Sequence, residues 1–215
     1  LSAFSCGGGN KANSTSEQSE ETAVNVPQFD ADSAYLYVKN QVDFGPRVPN
    51  TKEHVACGNY LAGQLEAFGA QVTNQYADLI AYDGTLLKAR NIIGSYKPES
   101  KKRIALFAHW DTRPWADNDP DEKNHNTPIL GANDGASGVG ALLEIARLVN
   151  QQQPELGIDI ILLDAEDYGA PQFYTGQHKE EFWCLGSQYW ARNPHVQGYN
   201  ARFGILLDMV GGEGS

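Results

Sequence analysis

The stretch Pro128-Ile129-Leu130-Gly131-Ala132-Asn133-Asp134-Gly135-Ala136-Ser137-Gly138 reads as a loop turning into a helix, with one carboxylate, Asp134, at the turn. Gly131, Gly135 and Gly138 surround that carboxylate, and small residues there let backbone or ligand approach it. Val139, Leu142, Leu143, Ala146 and Val149 follow at helical spacing, so a helix over about 135–151 has a face to bury. A carboxylate at the mouth of a buried helix is either its N-cap or a ligand. From this stretch alone both readings stand.

Working outward, Arg103 to Ala108 is a continuous apolar strand suited to the middle of a sheet, followed by a long polar stretch, His109 to Thr127. Downstream, Ile158 to Leu163 is a buried strand ending in Asp164-Ala165-Glu166-Asp167, and Phe203 to Leu207 is another, ending at Asp208. Residues Gly186 to Asn193 open a helix. Upstream, Asp30 or Asp32 caps a helix carrying Ala34, Leu36, Tyr37, Val38 and Val42. A second helix begins at Thr51, with His54 in its first turn, and ends at Gly69, a natural residue after a helix C-terminus. Ala70 to Tyr76 alternates as a strand, and Asn91 to Gly94 is a further one. The order predicts one α/β domain over 27–215.

The 215 residues suffice for one sizeable core. A net charge of -11 argues against nucleic acid and against anionic membrane surfaces as partners. No apolar run is long enough to span a bilayer. Cys6, Cys57 and Cys184 form no Cys-x-x-Cys pair, which argues against a thiolate zinc site. Whether Cys57 and Cys184 pair stays open. Residues 1–26 hold three glycines in a row and a Ser/Thr/Glu/Gln tract, too polar to fold, and read as a flexible tether. Their start resembles the tail of a bacterial lipoprotein signal peptide, with Cys6 as the lipidated residue. That implies an extracytoplasmic protein touching the membrane only through a lipid. The plainer alternative is a disordered terminus with an incidental cysteine.

Polar clusters end three apolar strands: His109-Trp110-Asp111, Glu166-Asp167 and Asp208. Asp134 sits at the loop-to-helix turn. Catalytic groups of open α/β sheets gather at the carboxyl ends of strands. Converging carboxylates need a cation or strongly shifted pKa values, and carboxylates with a His suit Zn²⁺. Each residue also has a plain reading: Asp208 as a turn residue, Glu166 and Asp167 as a solvated pair, His109 as a core histidine. Repetition of the pattern at three strand ends favours the site.

Those motifs, with Gly131 to Gly138, Leu185-Gly186-Ser187 and Leu207-Asp208-Met209-Val210-Gly211, resemble the zinc aminopeptidase superfamily in order, from about Phe29 onward. Within it, Asp167 and the Arg113-Pro114-Trp115-Ala116-Asp117 run are most similar to the bacterial glutaminyl cyclases. The resemblance implies a three-layer α/β/α fold around a central mixed, mostly parallel sheet. It implies a monomer that converts N-terminal Gln of peptides or proteins to pyroglutamate and ammonia. In such cyclases one zinc sits on the positions of Asp134, Asp167 and a distal His, Glu166 shuttles the proton, and Asp208 is a hydrogen-bonding acid. In the two-zinc aminopeptidases of the superfamily, the position of Asp134 bridges two metals and those of His109 and Asp208 complete one of them; His109 and Asp111 are thus candidates to ligate or support a second metal. The distal His is expected after Asp208, where this chain has none, so the expectation is a chain ending before its last ligand. His125, His178 and His195 match no ligand position. Trp183, with Phe173, Tyr174 and Phe182, is a candidate wall for the Gln side chain. The rival readings are a two-zinc aminopeptidase and a non-catalytic peptide-binding relative.

Overall fold

A computed structural model describes residues 25–212. Cys6 and residues 1–24 of the expected tether lie outside the described residues. The elements run α1 (Ala31–Val42), α2 (Lys52–Ala67), β1 (Gln71–Ile80), β2 (Leu86–Tyr96), β3 (Arg103–His109), α3 (Ala136–Gln151), β4 (Gly157–Leu163), α4 (Leu185–Arg192) and β5 (Gly204–Leu206).

Local chemistry starts the first two helices where the sequence places them. The Asp30 carboxylate accepts from the Asp32 and Ser33 amides, and the Thr51 hydroxyl accepts from the His54 amide. Each side chain satisfies donors that a helix start leaves without a partner.

The sheet order is β1-β2-β4-β3-β5. β2 pairs antiparallel with both β1 and β4, while β3 pairs parallel with β4 and β5. Four strands therefore point one way and β2 alone opposes them, the mixed and mostly parallel sheet expected. In register, His109 lies beside Leu163 and Phe107 beside Leu206. The residues following β3, β4 and β5 consequently leave the sheet at one edge.

β4 is buried along its whole length. Its Ile158, Ile160 and Leu162 join Leu61 and Leu65 of α2 and Val139, Leu142, Leu143 and Ala146 of α3 in the main core. Ile161 and Leu163 face the other way, into a smaller cluster with Phe107 and Trp190 of α4. Helices thus cover both faces, which is why β4 is buried on both sides and, Asp159 apart, apolar on both. α1 lies against α3, where Gly140 meets Val38 and the Ala34 carbonyl.

One strand departs from expectation. Phe203 to Leu207 reads as buried, yet β5 is three residues long and exposed throughout. Ile205 is 45% and Leu206 58% exposed. An apolar run signals a wish for burial; burial itself needs a neighbour on each side, and β5 has only β3 beside it among the described residues.

Candidate active site

His109 closes β3 with its side chain 1% exposed. Its Nε2 lies 2.9 Å from Asp134 Oδ1 and 3.5 Å from Asp208 Oδ1. Its Nδ1 is 3.4 Å from Asp111 Oδ1, close but without hydrogen-bond geometry. Asp111 faces away from solvent and receives the Glu166 and Asp167 amides, one on each carboxylate oxygen, at 3.1 Å. The end of β3 therefore organises the turn after β4. The sequence-identified residues His109, Asp111, Asp134, Glu166, Asp167 and Asp208 do come together.

Asp134 is not a helix cap. α3 starts at Ala136 from Gly135, with no side-chain cap bond, and the Asp134 carboxylate turns to His109 instead. The peptide between Asp134 and Gly135 is cis. The glycines here are spacing devices. A Cβ on Gly135 would stand 2.5 Å from the His109 carbonyl oxygen, and one on Gly138 would collide with the Leu207 carbonyl. Close approach of α3 to β3 and β5 is what brings Asp134 beside His109 and Asp208. Asn133 and Ser137 do the rest: the Val210 amide donates to Ser137 Oγ and the Gly211 amide to Asn133 Oδ1.

The electrostatics are those of crowded acids around a buried imidazole. Burial alone would pull His109 down, but the Asp111 and Asp134 carboxylates outweigh it and raise its pKa to about 12. His109 in turn holds Asp134 below the usual carboxylate range, against the effect of burial. Burial, with the Asp111 and Asp134 charges, pushes Asp167 up to about 7. Burial also raises Glu166, helped by Asp111, Asp208 and Asp134 and opposed by His109.

This donor set fits a divalent cation. His109, Asp134 and Asp167 offer ligand atoms within 4.8 Å of one another, as do His109, Glu166 and Asp208. Asp167 Oδ2 is buried with no hydrogen-bond partner, a cost that a bound cation would relieve. Imidazole nitrogen with carboxylate oxygen is a donor combination that Zn²⁺ accepts.

Beside this cluster opens a cavity of about 330 Å³ lined by Asp134, Asp167, Arg113, Trp183 and His178, among others. Of the four aromatic residues expected there, Trp183 lines it. Tyr174 and Phe182 pack around Tyr82 instead, and Phe173 stacks on His125. Arg113 forks onto Asp117 at 2.7 and 2.5 Å, donates to the Asp167 carbonyl, and lies 4.8 Å from the Trp183 ring. One guanidinium thus ties the long polar loop to the Asp167 turn and props the indole. Cys57 and Cys184 are both free thiols.

Residues 91–215 match the profile of peptidase family M28. The chain belongs to peptidase family M28. It is 94% identical, at a TM-score of 0.88, to Bacteroides thetaiotaomicron glutaminyl cyclase bound to N-acetylhistamine, covering 89% of this chain and 65% of that one. It is also 94% identical, at a TM-score of 0.89, to a leucine aminopeptidase precursor from Bacteroides thetaiotaomicron VPI-5482, covering 89% and 66%. Among curated relatives, the glutaminyl-peptide cyclotransferase of Drosophila melanogaster is 24% identical over 189 residues, 82% of this chain and 48% of that protein. The M28 chain therefore spans less than two thirds of each of these relatives.

Two supports of the M28 site have roles that single residues do not reveal. Arg47 is wholly buried and donates to three carbonyls, of Trp110, Leu130 and Gly131, clamping the loops that lead to Asp111 and Asp134. Asp164 stands behind the Glu166 turn. An arginine in a Gly-Pro-Arg-Val-Pro break reads as surface, and only the path of the chain reveals the carbonyls it meets.

Proposed function

We propose that this M28 chain is the catalytic part of a glutaminyl-peptide cyclotransferase, converting N-terminal Gln of a peptide to pyroglutamate with release of ammonia. The observation that carries the reading is the cavity beside Asp134 and Asp167. It is walled by Trp183 and Arg113 on the same side as the Asp134 and Asp167 carboxylates, so a substrate side chain lying against the indole reaches the acids. The likeness to a chain named as a glutaminyl cyclase supports it.

The reaction joins the substrate's α-amine nitrogen to its own γ-amide carbon. The C–N bond to the γ-nitrogen then breaks, and ammonia leaves. Zinc held by Asp134 and Asp167, with His109 within reach, would polarise the γ-carbonyl and stabilise negative charge on its oxygen. Glu166 accepts the proton that the α-amine sheds on attack and returns it to the departing nitrogen. Its raised pKa suits both halves of that transfer. Asp208, across His109 from Asp134, accepts a hydrogen bond from a substrate N–H. Trp183 holds the side chain flat so that the amine meets the carbonyl; since the attack is intramolecular, orientation supplies much of the rate. The same reading puts the protein outside the cytoplasm as a monomer tethered through Cys6. The polar composition of residues 7–21 supports the tether.

The second reading is a two-zinc aminopeptidase. His109 Nε2 beside both Asp134 and Asp208, and the likeness to a chain named as a leucine aminopeptidase precursor, favour it. A Gln-initiated peptide incubated with the full chain separates them. Cyclisation releases ammonia and leaves every backbone peptide bond intact; release of free Gln overturns it.

A further inference from the structure

Beneath the Glu166 turn lies a buried pair that the reaction itself does not use. His54, from the first turn of α2, directs Nε2 to both oxygens of Asp164, at 3.0 and 2.9 Å. Their side chains are 3% and 0% exposed. The imidazole is stacked on Trp110, with ring centroids 4.3 Å apart and planes 19° from parallel. Trp110 is itself pinned, its indole N–H donating to the Arg90 carbonyl. The Asp164 carboxylate also receives two backbone amides, Arg90 of β2 at 2.6 Å and Ala165 at 2.7 Å.

Ala165 is the consequential partner. It holds φ of +52°, a left-handed conformation that L-residues other than glycine adopt only when their surroundings hold them there. That twist is what points the next two amides, of Glu166 and Asp167, back at Asp111. The Asp164 oxygen that accepts from Ala165 also faces His54. The stacked ring therefore fixes the carboxylate that fixes the twist.

We infer that His54 is a positioning residue. Through Asp164 it holds Ala165 in its left-handed turn and so sets the aim of Glu166 and Asp167, coupling α2 to the site. The role of Glu166 rests on the cyclase reading; the role of Asp167 in holding a cation does not require cyclisation.

The test uses the full chain in three variants. His54→Phe keeps a flat ring on Trp110 but removes the donor to Asp164. His54→Gln restores an N–H donor at similar reach. Asp164→Asn keeps the shape but sets an amide against a backbone N–H. Each is assayed for kcat, KM and zinc affinity by chelator competition. The expected result for His54→Phe is a 10- to 100-fold fall in kcat and a comparable loss of zinc affinity, with KM within about twofold. His54→Gln should recover most of both. Wild-type kcat and zinc affinity in His54→Phe would overturn the inference, as would a change confined to KM. If His54→Phe does not fold, Asp164→Asn decides: the same joint fall supports the inference and wild-type values overturn it. Failure of the cyclase reading shows separately, as release of free Gln from a Gln-initiated peptide by the wild-type chain, and leaves the zinc measurement to judge His54.

Discussion

Glu166 is held by its backbone, leaving its carboxylate free to work: its N–H donates to Asp111 and its carbonyl accepts from the Cys184 amide at 3.0 Å. Replacing the carboxylate with an amide should therefore leave the turn intact while removing the proton carrier. Glu166→Gln is expected to lower kcat by about 10²- to 10⁴-fold, with KM little changed. Steady-state ammonia release measures it, and a wild-type kcat would rule out the proton-transfer role. Asp134 illustrates why single residues mislead. An aspartate before a helix is a common cap, and the local sequence cannot distinguish cap from ligand. The backbone decides, because α3 begins one residue later than a cap at Asp134 requires.

At the scale of elements, β3 and β4 are locked together at the end opposite the site. Arg103 opens β3 and forks onto Asp159 of β4 at 2.6 and 2.7 Å; Ser95 of β2 and Tyr199 also donate to that carboxylate. Burial pushes Asp159 up, but these partners outweigh it and hold it below the usual carboxylate range. A depressed folded-state pKa contributes stability that is complete above the unfolded value, near 3.8, and is lost as pH falls through the lower folded value. Asp159→Asn is expected to cost about 3–5 kcal/mol at neutral pH, since Arg103 would keep a buried charge without its partner. The gap to wild type should narrow only below about pH 4. Urea unfolding at a series of pH values checks both points, and a gap that closes near neutrality would show that the pair does not act this way. The sequence shows Asp159 only as an interruption in an apolar strand; its partner sits 56 residues away on the neighbouring strand.

At the scale of the molecule, the site depends on three strand ends and one helix start arriving at the same edge. A cation there would crosslink β3, β4 and α3 through His109, Asp167 and Asp134. Any ion that binds the folded state alone raises stability, by about 4 kcal/mol at a thousandfold excess over its Kd. Zinc is therefore expected to raise the melting temperature of the wild-type full chain, and EDTA to lower it. The double variant Asp134→Asn/Asp167→Asn should lose that response. An equal zinc shift in wild type and variant would place the ion elsewhere.

The sequence by itself determined the element order, the two capped helices, the buried β4 strand and the acids at the strand ends. Each of these is a local matter of periodicity, capping chemistry or residue type. Only the tertiary structure decided which of those elements are buried and which side chains meet. β5 is apolar but open, because burial depends on a neighbour that local sequence does not describe. Arg47, His54, Arg113 and Asp164 support the site through contacts with residues about 50 to 110 positions away. Such contacts follow from the path of the chain and leave no mark in spacing or composition.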